Sequence, residues 1–78
     1  MARVAAFVSS VHERERLHET KVECVWHTFT ARGETILQLD TYGSDERQIP
    51  GKVSQTLQLD RETASSLVRI LRDVFPGL

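Results

Sequence analysis

Few side chains in this 78-residue chain are spaced for chemistry, and they fall into two groups. The first is polar and nucleophilic. Cys24 and His27 form a Cys-x-x-His, half of a metal site on paper. They lie within residues 20–30 (TKVECVWHTFT), whose β-branched and aromatic composition predicts a strand. Positions three apart on a strand point to opposite faces, so the pair cannot chelate one ion. No second pair completes four ligands, and Cys24 is expected to be a buried structural cysteine, with no metal and no cofactor. His12, His18 and His27 with Ser44, Asp40 and Asp45 supply the residue types of a hydrolytic triad. Nothing sets a nucleophile on a strained elbow beside an oxyanion hole, and Gly43-Ser44-Asp45 reads as a turn. Gly43 and Gly51 are too isolated for a phosphate-cradling loop. The sequence predicts no enzyme, with a small hydrolase or nuclease accessory as a distant third reading.

The second group is aromatic and basic. His27, Phe29 and Tyr42, with Lys21, Arg32, Arg47 and Lys52, have the makeup of a platform for single-stranded nucleic acid. Rings stack on bases, and cations at the edges meet phosphates. Whether these residues can act together depends on the elements that hold them.

Residues 34–60 are the organising stretch. Two runs of period-two alternation each end in the same tetrapeptide, Leu37-Gln38-Leu39-Asp40 and Leu57-Gln58-Leu59-Asp60. Between them lie the turn formers Gly43, Ser44, Asp45, Pro50 and Gly51. A strand is expected again over residues 52–60, with Val53, Leu57 and Leu59 facing inward and Gln55 interrupting their row. Upstream, Ala31-Arg32-Gly33-Glu34 offers a tight turn. If Arg32 and Gly33 are its centre, Trp26 pairs with Leu39, Thr28 with Leu37 and Cys24 with Thr41. A three-residue loop would shift that register by one and exchange the faces. With the first register, Val22, Cys24, Trp26, Leu37 and Leu39 share the inner face. Val25, His27, Phe29, Ile36 and Tyr42 then lie outside among Gln38, Ser54, Thr56 and Gln58.

Residues 61–75 predict a helix, because Ala64, Leu67, Val68, Leu71, Val74 and Phe75 recur at helical spacing as one apolar stripe. Asp60 suits the N-cap, Glu62 the first turn, Arg69 and Arg72 the last turns, and Pro76-Gly77 the stop. Thr63 and Ser65 are expected on the wet side, and Ile70 lies off the stripe. The N-terminal segment, residues 1–19, is ambiguous between short helix and strand, with a first strand over residues 3–12 preferred and a solvated stretch at residues 12–18. The expected fold is one α+β domain, 1–78: an antiparallel sheet of three to four strands with one C-terminal amphipathic helix packed on one face.

Composition sets the outer bounds. A chain of this length buries about 60–65% of its unfolded surface, so a homodimer is the expected remedy for a thin core. One cysteine means no internal disulfide, which fits a reducing, cytoplasmic setting. No apolar run reaches the roughly 18 residues of a membrane span, and MARVAAFVSS has too short an apolar region for a signal peptide. The net charge of −1 lacks the basic excess that nucleic-acid binding usually shows, unless charge is segregated to one face.

The order of strand, Ile49-Pro50-Gly51-Lys52 loop, Leu57-Gln58-Leu59 strand and terminal helix resembles the single-stranded-DNA-binding transcriptional coactivator family (positive cofactor four). The likeness covers residues 35–72. It implies a homodimer whose sheets cradle a single strand, with Lys52 at the basic position after Pro-Gly. Val53-Ser54-Gln55 departs from the basic-glycine step of that pattern, and no basic arm precedes the fold. The wording around Tyr42-Gly43-Ser44 and Lys52-Val53-Ser54-Gln55 also resembles small bacterial proteins without an assigned activity. The leading functional expectation is a dimeric module for single-stranded nucleic acid, in transcription or DNA processing. The alternative is a protein–protein adaptor or small regulatory subunit.

Overall fold

The computed structural model describes residues 1–42 and 53–78. Residues 20–30 do form a strand, β2, beginning later than the sequence implies and running Cys24–Ala31. It turns at Arg32 and Gly33, whose φ angles of 52° and 77° are both left-handed. Two such residues make the mirror-image turn whose twist matches that of the strands. The hairpin partner β3 spans Glu34–Tyr42, paired in the register expected for the two-residue loop: Cys24 with Thr41, Trp26 with Leu39, Thr28 with Leu37.

β4, Val53–Leu59, lies antiparallel on the other side of β3. Here the repeated tetrapeptides explain themselves. Leu37 pairs with Leu59, Gln38 with Gln58 and Leu39 with Leu57, so the two Leu-Gln-Leu runs meet head to tail. The ladder slips between Thr41 and Tyr42, which sets Val53 against Tyr42. Val53 is thereby taken out of line with Leu57 and Leu59, against expectation. Gln55, opposite Thr41, is exposed at that end of the ladder.

The N terminus departs further. In place of a strand over residues 3–12 there is a two-residue strand β1, Ala2–Arg3, parallel to β4, with the Val4 amide donating to the Gln58 carbonyl at 2.9 Å. The sheet is therefore mixed, in the order β1-β4-β3-β2, rather than purely antiparallel. A parallel neighbour needs a long return path. Residues 4–23 provide it, passing without regular structure from the β4 side to the start of β2.

Helix α1, Arg61–Val74, follows β4 directly. Asp60 caps it as expected, accepting from the Thr63 amide at 2.9 Å while the Thr63 hydroxyl accepts from the Asp60 amide at 3.0 Å. This reciprocal box places Thr63 among the buried residues, correcting its expected wet position. Ser65 is exposed.

The helix does not lie over the whole sheet. Its Ala64, Ser65 and Val68 face Thr35, Leu37 and Leu59 across an open cleft of about 410 Å³. Among the described residues only Ile36 and Leu59 are buried hydrophobics. Trp26, expected inside, is 67% exposed, and Cys24 is exposed rather than buried. Both sit on β2, at the sheet edge remote from β4, the strand that leads into the helix. Ile36, expected outside, is buried at 6% exposure. Phe29 is opposite it on one side, and the β3–β4 register, continued one step, brings the Asp60 junction to the other. The Cα radius of gyration, 14.9 Å, exceeds the roughly 11.5 Å of a compact chain of this length.

Candidate binding face

Side chains alternate across a sheet, so the registers fix which residues share the face opposite the cleft. One row across all four strands is Arg3, Gln58, Gln38, His27. The next is Thr56, Asp40, Val25, and beyond Gln38 on the other side lies the Ile36–Phe29 pair. Tyr42 continues the alternation of β3 and is half-buried. His27 and Phe29 therefore sit side by side along β2, their ring centroids 6.1 Å apart and the planes tilted by 33°.

A hydrogen-bonded ladder runs through the middle of this face. Gln58 Nε2 donates to Gln38 Oε1 at 2.9 Å, and Gln38 Nε2 donates to both Asp40 oxygens at 3.1 and 3.2 Å. The Thr56 hydroxyl donates to Asp40 Oδ1 at 2.6 Å. His27 Nδ1 lies 4.0 Å from Asp40 Oδ2. Asp40 is 5% exposed, a carboxylate taken out of water and compensated by donors from two strands. The Thr56 bond holds its carboxyl below the ordinary carboxylate range. Burial opposes this, while Gln38 and the nearby His27 add to it. Asp60 is also held low, chiefly by the Thr63 amide and hydroxyl, with Arg3 contributing through charge.

Of the residues expected to bind nucleic acid, the structure brings His27, Phe29 and Tyr42 onto one face. Lys21, just before β2, and Arg32, in the turn after it, are exposed at opposite ends of that strand. Arg47 and Lys52 lie outside the described residues. Cys24 and His27 occupy opposite faces, as strand alternation requires. Among the described residues no group of three or more His, Cys, Asp or Glu side chains is placed to hold a metal ion. Also among them, no helix is long and apolar enough to cross a membrane.

Sequence reasoning placed Gln38, Thr56 and Gln58 on this face but missed Asp40 as its centre. The signal was the tetrapeptide repeat. Pairing the two runs about Gln38 and Gln58 puts Thr56 opposite Asp40, a donor beside a carboxylate on neighbouring strands. Arg3 was missed because its strand is two residues long. Comparison with family models, with curated proteins and with solved structures found no match.

Proposed function

We propose that this protein is a dimeric binding module whose His27–Phe29–Tyr42 face takes a single-stranded nucleic acid. The observation that carries the reading is the pair of neighbouring rings, His27 and Phe29, exposed at the β2 end of the face opposite the cleft. A base has a π-face for each ring, and the amide groups of Gln38 and Gln58 lie between the strands where base edges would pass. Lys21 and Arg32 flank β2, so a strand laid along it meets a cation at each end. Self-association is supported by the apolar surface left uncovered, including Trp26, Val25, Leu57, Val68 and Phe75. The single cysteine suits a cytoplasmic setting. The family resemblance of residues 35–72 points the same way.

Titration of a fluorescent ~20-nucleotide single strand, followed by anisotropy at two salt concentrations, tests this reading. Phe29→Ala and Tyr42→Ala should each weaken binding by about 1–3 kcal/mol without unfolding the protein. Lys21→Ala, Arg32→Ala, Arg47→Ala and Lys52→Ala should weaken it and flatten its salt dependence, each by roughly one counterion. No binding by the wild type at low salt rejects the reading.

A second reading, a protein–protein adaptor or regulatory subunit, is favoured by one observation. An ionised carboxylate, Asp40, stands in the middle of the face, between two cations placed far apart. That pattern is a patchwork of charge, which suits a protein surface better than a phosphate backbone.

A further inference from the structure

Among the described residues β2 is an edge strand of eight residues, Cys-Val-Trp-His-Thr-Phe-Thr-Ala, with no Asp, Glu, Lys or Arg, no proline and no bulge in its pairing with β3. Natural edges are normally blunted by one of these devices, because free N–H and C=O groups pair with any strand offered. The hairpin geometry says which groups are free. A two-residue turn makes Ala31 and Glu34 a hydrogen-bonded pair, and alternation continues this at Phe29, His27 and Val25. Cys24, Trp26, Thr28 and Thr30 therefore direct their amides and carbonyls away from β3, at the open edge.

We infer that this edge is where a second copy of the chain docks, β2 against β2 antiparallel about a two-fold axis at His27. The inference deepens the dimeric reading above and rests on it. The occupant is a second copy because the strand is complementary to itself. A two-fold axis normal to the sheet keeps each face continuous and requires partner numbers with an even sum. With His27 at the axis, Trp26 and Thr28 form the hydrogen-bonded pairs, and Val25 meets the partner's Phe29, an aromatic against a β-branched side chain. The flanks agree in charge. Before β2 stand Lys21 and Glu23, and after it Arg32 and Glu34. In this register Glu23 stands opposite the partner's Ala31, one position from the partner's Arg32, at both ends of the seam. The parallel arrangement would instead stack like charges. The result is one eight-stranded sheet in which His27 and Phe29 of both copies line a single face, so each binding face is completed by the other chain.

The test uses backbone chemistry. Thr28→Pro removes an amide that points outward, so the hairpin survives and the seam does not. Wild-type protein should sediment at twice the 8.9 kDa chain mass, with Trp26 and Thr28 amides protected from exchange. Thr28→Pro should sediment as the monomer with an unchanged circular dichroism spectrum. If that variant fails to fold, charge reversal decides: Glu23→Arg should weaken the dimer and Glu23→Arg with Arg32→Glu should restore it. A monomeric wild type overturns the inference, as do freely exchanging Trp26 and Thr28 amides. So does a dimer that persists in a folded Thr28→Pro but is lost in Val68→Glu, which would move the contact to the helix. Failure of nucleic-acid binding leaves all of these results untouched, and Tyr42→Ala, remote from the seam, separates loss of stacking from loss of the dimer.

Discussion

At the scale of single residues, Asp40 holds the most consequence. Its carboxyl is depressed by Thr56, Gln38 and His27, and Asp60 is depressed by Thr63. A group whose folded pKa lies below its unfolded value stabilises the fold above that unfolded value, about 3.9 for aspartate. The contribution is lost as pH falls through the lower folded pKa. Acid unfolding should therefore set in below about pH 4, and Asp40→Asn should flatten that limb in a denaturation series run from pH 6 to pH 2. An unchanged acid limb would mean that the ladder does not favour the ionised form. Thr63→Ala removes the acceptor for the Asp60 amide and should cost about 1 kcal/mol by urea denaturation, against almost nothing for Ser65→Ala. The sequence did not distinguish these two, since polar helix residues near the N-cap look alike until the reciprocal bond is seen.

At the scale of elements, the β2–β3 hairpin and the helix were legible because local chemistry specifies them. Arg32-Gly33 closes the hairpin in the register that the alternation demands, and Asp60 starts the helix. Gly33 has a φ of 77°, and a methyl group added there would meet nothing within 4 Å. Gly33→Ala should therefore cost about 1 kcal/mol through backbone strain alone. Arg32→Asn, which tolerates the left-handed conformation better, should raise the thermal midpoint. A midpoint lowered by Arg32→Asn would show that the arginine side chain matters more than its backbone. The first strand was illegible for a matching reason. Val4, Ala6 and Val8 alternate well, but Ala2 and Arg3 pair in parallel with Leu57 and Gln58, and β4 ends at Leu59 before Ala6 and Val8 are reached. The candidate face was half legible: alternation assigned His27 and Phe29 to it, while the burial of Asp40 beside Thr56 and Gln38 emerged only from the three-strand register.

At the scale of the whole molecule, the two buried hydrophobic side chains found among the described residues are too few to hold a fold of this size on their own. Stability should therefore depend on protein concentration, the thermal midpoint rising with each tenfold increase, as mass action requires of a dimer. A midpoint independent of concentration would leave the monomer to account for its own stability. Leu59→Ala should cost about 2–5 kcal/mol, since Leu59 is 3% exposed. Leu67→Ala and Leu71→Ala, half-buried, should fall towards the lower end of that range. One consequence belongs to the pairing of the two Leu-Gln-Leu runs. Because a neighbouring chain's β4 carries the same Leu57-Gln58-Leu59 run, the strand ladder alone does not tell a chain's own β4 from that of a neighbour. The choice falls to the tether, residues 43–52, which holds the correct partner at an effective concentration on the order of millimolar. Refolding from dilute solution should thus return the native chain, whereas refolding from concentrated solution should trap exchanged strands that separate only on unfolding.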